Sequence, residues 1–284
     1  MEFRPIQTDD VSLKHYAALF SACFPGATHL NEIYLRWLYC ANPEGDVVGF
    51  DAIEGDRIAA HYACIPVAME VMGTKARGLL SLNTATHPEF QGKGLFTKLA
   101  SRTYDLGAEL GYEGIYGIAN GNSTPGFTRK LGFTLISPLD ARLGIGKPAT
   151  IDWEEARKRT QFRRLWDEKS LKWRCANPAN AAHPTRVNSS AVEIRASTDK
   201  PLISVWGVVP PIENAPPEVA AGRRPFSLFI GLLPEGAYRY HLSMSIPDKL
   251  RPSPLNFIYK SFTGNASSLE RGTIQCSFVD FDAY

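Results

Sequence analysis

Cysteine is scarce in this chain of 284 residues: five thiols, at 23, 40, 64, 175 and 276, odd in number and never spaced as CxxC. Such scatter predicts reduced thiols in a cytoplasmic protein and argues against a disulfide framework or a zinc site. The six histidines are equally dispersed, HExxH is absent, and no metal is expected. Charge of one sign is also missing. Thirty-one basic residues against 29 acidic ones leave a net +2, so the balance points neither to nucleic acid nor to an anionic membrane. No apolar run approaches a membrane span; residues 202–209, broken by Ser204 and Gly207, are strand-length. The opening Met-Glu-Phe-Arg-Pro lacks the basic-then-apolar shape of a signal peptide. What is present, 44% hydrophobic and 21% charged residues, suits a globular chain long enough for two domains.

Residues 2–7 read as a strand. Thr8-Asp9-Asp10 then offers an N-cap for a helix over 11–23, with apolar residues at helical spacing. Asn31 caps a second helix through 39, which Asn42-Pro43 ends. Residues 47–53 and 58–72 read as strands joined by a turn at Gly55-Asp56, and 78–86 as a third. A helix over 95–107, a short strand over 114–118, a helix over 125–131 and a strand over 133–143 follow. After Gly146-Lys147-Pro148 the pattern changes, and a domain boundary is placed at 146–152. Residues 153–173 read as a charged helix. Beyond it come short strands at 192–196, 203–209, 226–233, 238–244, 255–262 and 273–278, with a loop over 210–225.

The stretch 86–99, THPEFQGKGLFTKL, sets Gly92 and Gly94 where a strand hands over to a helix. A helix N-terminus carries unpaired N–H groups and the positive end of the helix dipole. Phosphate sits well there, and glycine lets it approach. Lys93 and Lys98 add charge nearby, so Gln91 to Phe96 read as a pyrophosphate cradle. It is neither a Walker loop nor the dinucleotide fingerprint, since GxxxxGK[ST] and GxGxxG both fail. With the later segment 120–133, NGNSTPGFTRKLGF, this stretch resembles the acetyl-CoA-binding core of the GNAT superfamily of N-acetyltransferases. The order of elements over 1–145 is similar too.

The resemblance implies an α+β GNAT fold, a mixed and mostly antiparallel central sheet with flanking helices. It implies acetyl-CoA as co-substrate, without a metal, lying in a wedge beside the strand that precedes the glycine loop. Contacts are then expected from Thr84, Ala85, Thr86, Gln91, Gly92, Lys93, Gly94, Leu95, Phe96, Thr97, Asn120, Ser123 and Phe127. An amine attacks the thioester directly in this family. Two departures stand out. Phe96 replaces a small residue of the loop, and Phe127 and Thr128 stand where the family carries a tyrosine that protonates the leaving thiolate. Ser123, Thr128 or water could substitute. For the base, His61 and Tyr62 are the candidates by position, with His87 and Glu89 read as turn residues. Asn83 and Thr84 should face opposite sides, so that one points at the wedge.

One internal echo links the halves. Asn31-Glu32-Ile33-Tyr34-Leu35-Arg36-Trp37 with Cys40-Ala41-Asn42-Pro43 returns as Asp167-Glu168-Lys169-Ser170-Leu171-Lys172-Trp173 with Cys175-Ala176-Asn177-Pro178. It reads as a tandem duplication. Residues 1–146 are then the catalytic domain, and 150–284 a diverged GNAT-like domain without a CoA loop. The acceptor is expected to be a small-molecule amine such as an amino sugar, with no nucleic-acid or membrane partner, in a monomer or homodimer. The competing reading is a non-catalytic acyl-CoA-binding or scaffold protein; an aminoacyl transferase using charged tRNA would need a basic surface that +2 does not advertise.

Overall fold

The computed structural model describes residues 1–187, 191–212, 224–251, 253–264 and 269–281. In chain order the elements are β1 (Glu2–Pro5), α1 (Asp10–Cys23), α2 (Glu32–Cys40), β2 (Val48–Glu54), β3 (Arg57–Val71), β4 (Thr74–Thr86), α3 (Leu95–Glu109), β5 (Gly114–Asn120), α4 (Thr124–Lys130), β6 (Thr134–Pro138) and β7 (Asp140–Ile145). They continue with β8 (Ala149–Ile151), α5 (Trp153–Arg159), β9 (Phe162–Arg164), α6 (Glu168–Cys175), β10 (Ala182–Val187), β11 (Ala191–Ser197), β12 (Ile203–Val209), β13 (Phe226–Leu232), β14 (Tyr238–Tyr240), β15 (Ser243–Ser245), β16 (Leu255–Ser261) and β17 (Ile274–Ser277). Among the described residues, fifteen strands form one mixed, mostly antiparallel sheet, and β8 and β14 pair separately.

The caps fall where the sequence puts them. Asp9 accepts from the amides of Val11 and Ser12 to open α1, and Asn31 from Tyr34 to open α2. These helices cover one face of the β2–β4 sheet with Leu13, Tyr16, Phe20, Leu35 and Tyr39, all buried. The other face takes Leu95, Leu99 and Tyr104 of α3 and Phe127 of α4. Neighbours on β3 consequently face opposite layers: His61 meets Tyr16, Phe20 and Tyr39, whereas Tyr62 meets Phe96 and Tyr104.

The helix expected over 153–173 is instead two short helices around a strand. In α5, Glu154 and Glu155 sit in the first turn and Arg157, Lys158 and Arg159 in the last, a complete dipole-matched unit within seven residues. Phe162 to Arg164 is then extended, because β3 offers an edge to pair with: Met69 lies opposite Arg164 and Val71 opposite Phe162. Asp167 and Ser170 form a capping box that starts α6 afresh. The strand expected over 238–244 is likewise divided, its first part pairing with β8 and its second with β7. The strand over 133–143 breaks at Leu139, whose amide donates to Leu255 O. Part of the loop over 210–225 lies outside the described residues.

The two halves of the sequence trade strands. β16, from the second half, lies between β5 and β6 of the first, pairing antiparallel with both. β7, from the first half, lies between β13 and β15 of the second, again antiparallel to both. Phe257 and Ile258 on β16 are buried in the first half's two core layers. The repeated helices also meet each other. Trp37 of α2 stacks on Trp173 of α6 with ring centroids 5.0 Å apart. Each indole N–H donates to the other's backbone carbonyl at 3.0 Å. The contact is thus reciprocal between the two helices.

Residues 1–146 made alone should therefore not fold into a soluble monomer, because β5 and β6 would face each other across the space of β16. Co-expression with 147–284 should restore solubility; a monomeric, cooperatively melting 1–146 fragment would contradict the exchange.

Candidate active site

β4 and β5 run parallel and pair only from Gly78 opposite Gly114 to Ser81 opposite Gly117. Beyond that point the strands part, and both continue to residues 86 and 120. Between them opens a cleft of about 220 Å³, lined on one side by Ser81 to Thr84 and on the other by Gly117 to Asn120, with Ser123, Phe127 and Ile258. A bulge shapes its wall. Tyr62 pairs with Thr84 and Ala63 with Leu82, which leaves Asn83 as the extra residue, at φ +42°. The alternation expected of Asn83 and Thr84 is broken there, and both line the cleft.

β4 leads into the glycine turn. Gly92 and Gly94 take φ of +76° and +69°, and Gly94 is the residue before the first turn of α3. An added Cβ would meet nothing within 4 Å at either position, so backbone conformation, not crowding, requires glycine. The first amide of α3 with a partner is that of Lys98, bonded to Gly94 O. The amides of Leu95, Phe96 and Thr97 precede it as the open N-terminal donors of a 15-residue helix. Gln91, Gly92, Lys93 and Gly94 are exposed. His87 and Glu89 are engaged around the turn itself: His87 Nδ1 accepts from the Glu89 amide, and the Glu89 carboxylate pairs with Arg57 at 2.8 Å. A groove of about 560 Å³ runs past Thr97 and Ser101 of α3 toward Lys130 and Lys260.

The structure places the other expected residues unevenly. Ala85 is buried in the β3–β4 ladder, and Thr86 pairs opposite Ala60. Asn120 Oδ1 accepts from the amides of Asn122 and Ser123, forming the turn into α4. Thr128 donates to Thr124 O one turn back, and Ser123 reaches only Asn120 O, at 3.4 Å. Phe96 packs between Tyr62 and Phe127, and a Cβ on Gly126 would meet its ring at 2.9 Å. Bulk at 96 is thus matched by glycine at 126. Tyr62 is buried, hydrogen-bonded to Ser81 and Tyr104, and burial pushes its phenol well above the ordinary value. It is a neutral phenol on the α3 face. His61 lies on the opposite face, bonded to Asp51 at 2.7 Å and to the Tyr39 hydroxyl at 2.9 Å. Among the described residues no three His, Cys, Asp or Glu side chains cluster to hold a metal ion.

The second half contains a matching pair of parallel strands. β12 and β13 pair from Ile203 opposite Phe226 to Trp206 opposite Phe229. Here the space beyond is filled. Gly231 pairs with Ser277 of β17, and a Cβ on Gly207 would meet the Phe278 ring at 2.9 Å. The chain's own residues 274–281 occupy the place that the first half leaves open.

Residues 2–136 match the profile of the Acetyltransferase (GNAT) domain family. This segment, just under half of the chain, resembles a GNAT acetyltransferase domain. Similar folds extend over nearly the whole chain. A GCN5-related N-acetyltransferase from Kribbella flavida superposes with a TM-score of 0.59 at 10% identity, covering 92% of this chain and 72% of that one. Another, from Anabaena variabilis ATCC 29413, gives 0.55 at 11% identity, covering 91% and 72%. A search of curated proteins returns no match. The chain thus has the GNAT fold.

Sequence reasoning missed Asp51 and Tyr39. The hairpin turn at Gly55-Asp56 would align Asp51 one residue short of His61; a bulge at Ala52/Ile53 shifts the register and brings the two opposite. No sequence signal marks that bulge.

Gly94→Ala should fold but lose about 1–2 kcal/mol in urea unfolding, the cost of a left-handed non-glycine residue. An unchanged midpoint would mean that the turn relaxes. In the native state Cys40 should react first with a thiol reagent, because Cys64, Cys175 and Cys276 are buried and burial lifts the Cys64 thiol to about 12. Equal reactivity of all five thiols would contradict this packing.

Proposed function

We propose that the protein transfers an acetyl or similar short acyl group from acetyl-CoA to a primary amine by direct attack. The observation that carries this reading is the cleft where β4 and β5 part, whose lining residue Phe127 is in ring contact with Phe96 beside the open amides that begin α3. A thioester arm can lie between the parted strands, exchanging hydrogen bonds with backbone near Thr84 to Thr86, while its pyrophosphate meets the glycine turn from Gln91 to Thr97. Asn120, Ser123 and Phe127 border the same cleft from the α4 side. The donors at a helix N-terminus and the charge of Lys93 favour such an anion without any metal.

Catalysis would rest on holding the amine at the thioester carbonyl and on stabilising the developing oxyanion. Tyr62 can donate but, held neutral by burial, does not suit the role of base. Ser123 lines the cleft at its α4 edge and Thr128 lies further along α4, and the CoA thiolate is a fair leaving group without a dedicated acid. The acceptor class we favour is a small amine such as an amino sugar, used in the cytoplasm. The second half, its own cleft filled by residues 274–281, serves as scaffold, completing the catalytic sheet through β16. We take the division at 146–150 as one of sequence origin, with 1–146 the catalytic unit and 150–284 its diverged copy. A non-catalytic acyl-CoA-binding role is the competing reading, favoured by the lack of a tyrosine at 127–128.

Millimolar acetyl-CoA should raise the melting midpoint of the wild type by several degrees, because the ligand binds only the folded state. Gly94→Asp, which sets a carboxylate at the phosphate turn, should abolish that rise while remaining folded. No rise in the wild type would remove the basis for the proposal; a rise without thiol release over a panel of primary amines would favour the binding role.

A further inference from the structure

A buried polar chain ends at the cleft, and the glycine loop does not account for it. Asp51 and His61 are fully buried between the sheet and α1–α2, with Tyr16 and Tyr39 above them. Asp51 Oδ2 accepts from the Tyr16 hydroxyl at 2.7 Å, and that hydroxyl accepts from the Gln7 amide. Asp51 Oδ1 takes His61 Nδ1, His61 Nε2 meets the Tyr39 hydroxyl, and Tyr39 meets Asn83 Nδ2 at 2.9 Å.

The donor directions follow from chemistry. A carboxylate only accepts, so His61 Nδ1 carries the proton and, in the neutral ring, Nε2 accepts from Tyr39. The Tyr39 oxygen is then left to accept from Asn83, which turns the NH₂ end of that amide toward the core. The carbonyl end, Oδ1, is the remaining polar atom of a residue that lines the cleft at its bulge, and it has no protein partner among the described residues. A free asparagine could present either end; with the His61 ring neutral, the chain is satisfied with the NH₂ end turned inward.

We propose that Asn83 Oδ1 is the hydrogen-bond acceptor for the attacking amine, and that Asp51, His61 and Tyr39 are positioning residues that fix its orientation. This rests on the acyltransferase reading. One N–H of the amine donates to Oδ1, which leaves the nitrogen lone pair aimed at the thioester. The C–N bond forms, the C–S bond breaks, sulfur leaves as thiolate, and the surplus proton of nitrogen passes to water. An acceptor that must donate here has to be an amine with at least two N–H groups, one to give and one to lose; neither a secondary nor a tertiary amine qualifies.

The test uses the full chain, acetyl-CoA and a panel of primary amines that includes glucosamine and benzylamine, with thiol release as readout. Asn83→Ala should lower kcat/KM for the best amine about tenfold or more while leaving the KM for acetyl-CoA and the thermal shift by CoA unchanged. Tyr39→Phe should cost about as much in the wild-type background and nothing further in Asn83→Ala, because it acts through that amide. Additive losses would mean that Tyr39 merely supports the fold, and would overturn the positioning claim. A loss confined to the KM for acetyl-CoA would place Asn83 on the cofactor instead and overturn the assignment. Should Tyr39→Phe fail to fold, the amine-against-cofactor split of Asn83→Ala decides alone. A wild type that releases no thiol with any amine overturns the transferase reading and this assignment with it; an active wild type with unaffected Asn83→Ala overturns the assignment only.

Discussion

Two parallel strands that cease to pair leave backbone donors and acceptors facing a gap, and such groups must find other partners. Both halves of this protein contain that gap, between β4 and β5 and between β12 and β13. The second is closed from within by β17 and Phe278. The first is filled by none of the described residues, and a turn of open amides stands near it. One backbone arrangement thus gives a self-sealed structural unit in one place and a ligand cleft in the other. The difference lies in a short stretch of chain rather than in the fold.

The halves are joined by more than adjacency. β16 completes the sheet of the first and β7 that of the second, while the Trp37–Trp173 pair ties α2 to α6. Offset aromatic pairs of this kind add about 0.5–1.5 kcal/mol beyond their buried area. Here each indole N–H is also satisfied by its partner's carbonyl, so neither is left as a buried unpaired donor.

Much of the first half was legible in sequence because local chemistry fixes it. Asp9 and Asn31 cap helices, Gly92 and Gly94 take left-handed backbone, and the segments ending at Trp37 and Trp173 are helical. Non-local pairing was not legible. The break of 153–173 depends on an edge of β3 that becomes available only in the folded sheet, and the insertion of β16 depends on β5. The cleft residues around Asn83 escaped because a bulge overrides strand alternation, and Asp51 because a second bulge shifts a register by one. Periodicity carries no trace of either.

The exchanged strand also sets an order of events during synthesis. Thr124 and its partner Asn256 are 132 residues apart. At roughly 5–20 residues per second, a ribosome needs on the order of ten seconds to make that span. Throughout that time β5 and β6 lack the strand that lies between them, and their apolar edges stay open to other chains. The nascent chain therefore passes through a period of exposure that a GNAT domain built from one contiguous segment would avoid, and its yield in cells should depend on chaperones that shield unpaired strand edges.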